Sequence, residues 1–292
     1  MSEQIFISII IVTWNSEDEI AECLSSIFDS SANVSFEIII IDNNSSDKTI
    51  EVLEDFENKF PGKIKIILNK KNLGFTKGCN QGIRIASGKN ILLLNPDTKI
   101  TGNAIELLNI KLDADENTGA IAPQLTNDDM TIQKSCRTFP GYFDMFCEMT
   151  MLSKIFPDSH LLSNWKMNYF SHDEERIVEQ PMAAALMVKK KVMNEINNFD
   201  ERYEMFFNDV DLCKKINAKG YKILFYPEAK IFHTKGVSIY KDRVRMIKIW
   251  NEDCLKYFKK YYYKNNFFLY NWLLISLKVT GFFRILHYKL TK

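Results

Sequence analysis

The chain has 292 residues, of which 46% are hydrophobic and 26% charged, and its net charge is +1. That length holds one large domain, or one domain with an appended module, and the composition excludes a disordered or low-complexity chain. Six scattered cysteines with no CxxC pair exclude a zinc-type or disulfide framework and point to a reducing, cytoplasmic compartment.

The charge is unevenly spread. Residues 230–292 carry 14 Lys and Arg against 3 Asp and Glu, whereas the preceding residues carry 24 against 34. A basic C-terminal segment suits an anionic surface, nucleic acid or phospholipid; the plain alternative is a solvated helix face. Met1 to Gln4 leads straight into a strand-like run, with no signal-peptide pattern.

In chain order, the β-branched run Ile5 to Val12 predicts a buried strand. Ser16 with Glu19 three residues on reads as a capping box, opening a helix to about Phe28 with Ile20, Cys23, Leu24 and Ile27 on one face. Phe36 to Ile41 predicts a second strand, Thr49 to Phe60 a helix, Ile64 to Leu68 a third strand, and Asn72 to Phe75 a turn. A helix over Gly78 to Ala86 then enters Ile91 to Leu94, a strand apolar enough to be buried on both faces. This β-α-β-α-β alternation predicts a parallel sheet with covered faces. Beyond it come a helix over Ala104 to Leu112 and a short strand over Ala120 to Leu125. Residues 133–180 are long, aromatic and without a clear period, which suits a lid or acceptor loop. Met182 to Val188 predicts a strand, Lys190 to Ile196 a short helix, Val210 to Ala218 a helix closed by Gly220, and Tyr221 to Tyr226 a further strand. Two helices end the chain, over Val244 to Tyr263 and Phe267 to Tyr288. The second is strongly apolar but carries Lys278 and Arg284, so it suits a membrane interface with snorkelling cations; packing on the domain or across a dimer is the alternative.

Three strand ends deliver polar residues to one edge: Thr13-Trp14-Asn15, Asp42-Asn43-Asn44 and Asn95-Pro96-Asp97. Pro96 cannot continue a ladder, so Asp97 stands just past the carboxyl end of a central strand, where open α/β sheets bind ligands. One such carboxylate alone is as well read as a helix cap; three polar ends in succession favour a nucleotide pocket. The chain has no G-x-x-x-x-G-K-[ST] and no G-x-G-x-x-G after the first strand, which argues against a P-loop enzyme and a dehydrogenase. In Phe206-Phe207-Asn208-Asp209-Val210-Asp211, Asp211 reads as a helix-dipole partner, while the aromatic flank of Asp209 excludes water and raises its basicity, as a general base needs. Both can also be simple caps. His233 follows a strand-like Ile231-Phe232 and reads equally as structural or as a ligand to metal or phosphate.

These residues resemble family 2 glycosyltransferases. The likeness rests on Val12 to Ser16, Asp42 to Asp47, Asn72 to Phe75 with Gly78-Cys79-Asn80, Leu94 to Asp97, Asn198 to Glu201, Asp209 to Cys213, and His233 with Gly236 and Ser238. It runs over about residues 5 to 240 and is strongest toward the rhamnosyltransferase-like branch of bacterial surface-polysaccharide synthesis. The resemblance implies an α/β GT-A fold, a Rossmann-like, mostly parallel sheet flanked by helices, with a helical C-terminal extension. It divides the chain into a domain over 1–240, with a nucleotide-sugar half over 1–100 and an acceptor half over 101–240, and a basic helical tail over 241–292. It implies inverting transfer from dTDP-rhamnose or a UDP-sugar to a glycan or polyprenyl-diphosphate-linked acceptor, at the inner face of the cytoplasmic membrane. Thr13 and Asp42 would hold base and ribose, with Asn15 and Asn80 lining that pocket. Asp97, with Asn95 beside it, would hold Mg²⁺ or Mn²⁺ on the diphosphate, and His233 would complete the contact. Asp209 would be the base, with Arg137 and Asp211 on the acceptor and diphosphate side.

Three departures stand out. Asn208 replaces a common Glu, Asn95 replaces a first Asp of the metal motif, and Ala183-Ala184-Ala185 replaces a more usual glycine. Asn208 is what supports a different reading, a non-catalytic sugar-nucleotide-binding subunit of an assembly complex. A sugar-nucleotide pyrophosphorylase would need a glycine-rich basic loop after the first strand, and no nucleic-acid-binding module accompanies the basic tail.

Overall fold

The computed structural model describes residues 6–30, 34–234 and 242–291; the expected strand residue Ile5 and the motif residues Gly236 and Ser238 lie outside them. The first half alternates strand and helix: β1 (Phe6–Thr13), α1 (Ile20–Ser30), β2 (Ser35–Asp42), α2 (Thr49–Lys59), β3 (Ile64–Leu68), α3 (Phe75–Ile85) and β4 (Asn90–Leu94). Then follow β5 (Thr98–Ile100), α4 (Ala104–Asp113), β6 (Thr118–Thr126), β7 (Cys136–Arg137), α5 (Tyr142–Met149), α6 (Leu152–Ile155), β8 (Arg176–Ile177) and β9 (Gln180–Pro181). The last part holds β10 (Ala185–Lys189), α7 (Lys190–Glu195), α8 (Asn208–Ala218), β11 (Lys222–His233), α9 (Arg243–Tyr261) and α10 (Phe267–Leu290).

Among the described residues one nine-stranded sheet runs in the order β3-β2-β1-β4-β10-β6-β11-β5, with β8 also on β11. From β3 to β4 it is parallel, as expected; beyond β4 it is mixed, because β10 runs antiparallel to both β4 and β6. The alternation of β1 divides its side chains between two cores. Ile7, Ile9 and Ile11 meet α1 through Cys23, Leu24 and Ile27, whereas Ile10 joins Ile39, Ile41 and the α3 residues Cys79 and Ile83. Each such buried side chain contributes about 1.5–3 kcal/mol, so the period-2 pattern alone pins the register. Helix α3 lies so close to the sheet that a Cβ on Gly82 would stand 2.7 Å from Ile10.

Several local expectations change. Ser16 starts the α1 turn with its carbonyl, which accepts from Glu19 and Ile20 N–H, while its hydroxyl accepts from Trp14 N–H at 3.4 Å. Helix α3 begins at Phe75 rather than Gly78, because Gly74 at φ +85° makes the sharp entry. Strand β11 does not stop at Tyr226 but passes an irregularity between Tyr226 and Lys230 and ends at His233.

A third cluster joins α5, α8, α9 and α10 through Met145, Val210, Cys254, Tyr257, Phe258, Leu273 and Leu277. Helix α10 buries only a narrow stripe, Leu273, Leu277 and Gly281. A Cβ on Gly281 would meet Asn251 Nδ2 at 2.5 Å, so a glycine lets α9 and α10 touch there. The rest of α10 is apolar and open: Phe268 is 86% exposed, and the helix is long and apolar enough to cross a membrane.

Candidate active site

A cleft of about 980 Å³ lies beyond the carboxyl ends of β1 and β4. Thr13, Trp14, Asn43, Asn95 and Asp97 line its inner side. Thr13 Oγ1 donates to Asp42 Oδ1 at 2.9 Å, and Ser45 donates to the same carboxylate through both its N–H (2.9 Å) and its hydroxyl (2.5 Å). Asp42 is fully buried behind the cleft lining, where it fixes Thr13 and the 43–46 turn. Asn15 and Asn80 are likewise framework. Asn15, at φ +50°, accepts from Ser46 N–H at 2.8 Å. Asn80 bridges α3 to the 199–201 segment, donating to Phe199 O and Glu201 and accepting from Phe199 N–H, each at 3.0 Å.

Asp97 and His233 are 136 positions apart in sequence, but β5 and β11 pair antiparallel with Thr98 opposite His233. That register sets His233 Nε2 3.5 Å from Asp97 Oδ1. Gln133 fixes the ring. Its amide nitrogen donates to His233 O (2.5 Å) and Asn127 Oδ1 (2.7 Å), so its oxygen accepts from Nδ1–H at 3.0 Å. With Nδ1 held by Gln133, Nε2 is the nitrogen turned toward Asp97, the arrangement in which a histidine can bind a metal through Nε2. Ligands at ~2.1 Å from a small divalent cation stand ~3 Å apart when adjacent, so this pair fits two corners of such a site. No group of three or more His, Cys, Asp or Glu side chains placed to hold a metal occurs among the described residues.

The opposite side is assembled from residues 133–210. Strands β7 and β9 pair Arg137 with Gln180, and this two-stranded ribbon faces the start of α8. Gln180 Nε2 donates to Asp209 Oδ2 at 2.9 Å, and Val210 N–H donates to Oδ1 at 2.8 Å. Burial raises the Asp209 pKa above the usual carboxylate range, with Arg137 acting against the shift. Arg137 lies over the Trp165 ring at 5.3 Å. The segment the sequence left unassigned thus supplies Arg137, Glu148, Trp165, Lys166 and Gln180 to the cleft. Asn208 is buried and donates to Met205 O at 2.6 Å, a bond that a Glu carboxylate does not make. Asp211 turns away from the cleft and accepts from Lys260 (2.5 Å) and Tyr261 (2.7 Å) on α9.

A residue missed in the sequence organises this side. Asp253, fully buried on α9, accepts from the N–H groups of Glu204, Met205 and Phe206 at 3.0–3.3 Å and pairs with Lys256 at 2.8 Å. It holds the loop that delivers Phe207, at φ +57°, into the Asp209 turn. The sequence signal was weak: one of three acidic residues in a strongly basic segment.

The family model described as glycosyl transferase family 2 matches residues 8–172. The chain belongs to that family. Among curated relatives, N-acetylglucosaminyl-diphospho-decaprenol L-rhamnosyltransferase of Mycobacterium tuberculosis is 22% identical over 216 residues, 70% of this chain and 68% of that protein. Mannosyltransferase PcManGT from Pyrobaculum calidifontis, solved with GDP-Man and Mn²⁺, superposes at TM-score 0.59 with 15% identity, covering 94% of this chain and 73% of that one. GalNAc-T7, solved with UDP, GalNAc and Mn²⁺, gives 0.60 and 15%, covering 90% of this chain but half of that one. The fold of this glycosyltransferase is GT-A, with the cleft at the carboxyl edge of its parallel strands.

Proposed function

We propose that this glycosyltransferase is inverting and moves a sugar from dTDP-rhamnose, or a UDP-sugar, to a hydroxyl of a glycan or polyprenyl-diphosphate-linked glycan during surface-polysaccharide synthesis. The observation carrying this reading is that Asp209, kept basic by burial, stands in one cleft with Thr13 and the Asp97–His233 pair. The rhamnosyl and polyprenyl parts draw support from the mycobacterial relative's name.

In a single displacement, Asp209 takes the acceptor hydroxyl proton as that oxygen bonds to the anomeric carbon and the bond to the donor phosphate breaks. Gln180 aims the carboxylate, which also accepts from Val210 N–H. Arg137 adds positive charge beside the acceptor. Asp97 and His233, with Asn95 nearby, would hold Mg²⁺ or Mn²⁺, which would supply charge neutralisation on the leaving diphosphate. The protein works at the inner face of the cytoplasmic membrane, held by the open apolar face of α10 and its lysines.

Thermal shift against dTDP and UDP, with and without Mn²⁺, identifies the nucleotide. Asp209→Asn is expected to lower turnover by on the order of 10²–10⁴ with nucleotide affinity kept; near-normal turnover would remove the base assignment. Asp97→Ala is expected to abolish the Mn²⁺-dependent part of nucleotide affinity, and equal affinity with and without chelator in the unsubstituted protein would refute that role. Phe268→Asp with Phe282→Asp spares the buried stripe of α10 and is expected to release the protein from vesicles; undiminished sedimentation rules out the anchor.

A further inference from the structure

Leu277 and Phe283 of α10 line the cleft, as do Arg137 and Gln180 of the β7–β9 ribbon. Two strands of two residues make a poor scaffold for groups that must meet Asp209, and their ladder leaves an edge open. Cys136 stands opposite Pro181, which has no N–H, and the ladder bond runs through their neighbours, from Met182 N–H to Ser135 O at 2.9 Å. The N–H of Cys136 therefore points to the far side of β7, where no strand follows among the described residues.

His172 occupies that edge. It is fully buried, at φ +64°, and its Nε2 accepts from Cys136 N–H at 3.0 Å. A carbonyl can only accept, so the 2.8 Å contact of Nδ1 with Phe170 O places the ring proton on Nδ1. One tautomer serves both bonds. Burial lowers the His172 pKa, and Lys134 and Arg137 add like charge against a protonated ring. The rings of Phe170 and Phe225 pack on the imidazole at 4.4 and 5.5 Å. Its backbone is tied to the central sheet, because Gln124 of β6 donates to His172 O at 2.6 Å. A continuous set of contacts thus runs from β6 through His172 to Cys136, and from the next residue, Arg137, across the ribbon to Gln180 and Asp209.

We infer that His172 is a positioning residue: its neutral imidazole takes the place of a third strand on the ribbon and keeps Arg137 and Gln180 at Asp209. His172 does not line the cleft and acts through Cys136. The inference rests on the transferase reading only for what the positioned groups do. A leucine at this position leaves Cys136 N–H without its acceptor, whereas a glutamine offers its amide oxygen in place of Nε2.

Nuclear magnetic resonance of the full chain reads the bond without substrate. The Cys136 amide is expected to exchange with solvent at least about tenfold faster in His172→Leu than in the unsubstituted protein or His172→Gln. Equal exchange in all three overturns the inference, and so does a proton on Nε2 of the unsubstituted ring, a result that needs no variant to fold. Hydrolysis of dTDP-rhamnose or UDP-glucose then reads function. His172→Leu is expected to lower kcat by at least about tenfold with the Kd of dTDP or UDP within about twofold, and His172→Gln to recover most of the rate. A Gln variant as slow as the Leu variant, or nucleotide affinity lost along with rate, would make His172 general framework and overturn the positioning role. An unsubstituted protein that hydrolyses neither donor removes the proposed donors without touching His172, which Cys136 exchange decides.

Discussion

The two walls of the cleft are built differently. The wall proposed for the donor comes from consecutive βα units, so its polar residues sit at a strand end or up to three residues beyond it, after a strand that its own hydrophobic run specifies. Thr13 ends β1, and Asp97 follows β4 by three residues. The wall proposed for the acceptor is collected from distant pieces: a two-stranded ribbon brings Arg137 to Gln180, α8 brings Asp209, and α9 reaches back through Asp253. Local order makes the first wall readable and rigid. The second depends on long-range polar contacts, so single substitutions there should cost function and stability together.

Asp253→Ala should have the largest effect on stability. It leaves three half-buried N–H groups and Lys256 without their acceptor, a loss of about 3 kcal/mol, measured by urea unfolding. In the folded fraction, transfer should fall while nucleotide affinity holds; equal loss of both would erase the distinction between the walls. Asp42→Ala is the counterpart on the donor wall. It frees Thr13 and Ser45, costs about 1–3 kcal/mol, and should weaken nucleotide binding; intact nucleotide affinity would show that this wall does not depend on Asp42.

Gln180→Leu removes a hydrogen bond to the ionised form of Asp209, so the acidic limb of the pH–rate profile should move to higher pH. An unmoved limb would mean that Gln180 does not act on the base. The smallest effect is a gain. Because the folded pKa of Asp209 is raised, its contribution favours folding below the unfolded carboxylate pKa and is lost as pH rises through the folded value. Asp209→Asn should therefore raise the melting temperature at neutral pH and lose that advantage in acid; a lower melting temperature at pH 7 would contradict the burial argument.

The first-half strands, the polar strand ends and the prominence of Asp209 were legible because each rests on a local pattern: apolar periodicity, a proline stop, an aromatic flank. Ribbon β7–β9 was not, since its two-residue strands carry no period and exist only against α8. Nor were the intramolecular partners of Asp42, Asn15, Asn80 and Asp211, each of which ties together loops of the fold. Polar residues near a site look alike in one dimension, and only their partners separate framework from lining.

The sequence by itself determined the parallel first half, because hydrophobic alternation and turn chemistry act between near neighbours. Whether Asp97 meets His233, whether Asp209 is buried beside Gln180 and Arg137, and whether the C-terminal helix forms a wall of the cleft were decided by tertiary structure alone. Those contacts depend on the pairing of β5 with β11 and on the docking of α9, where burial of distant side chains outweighs local preference.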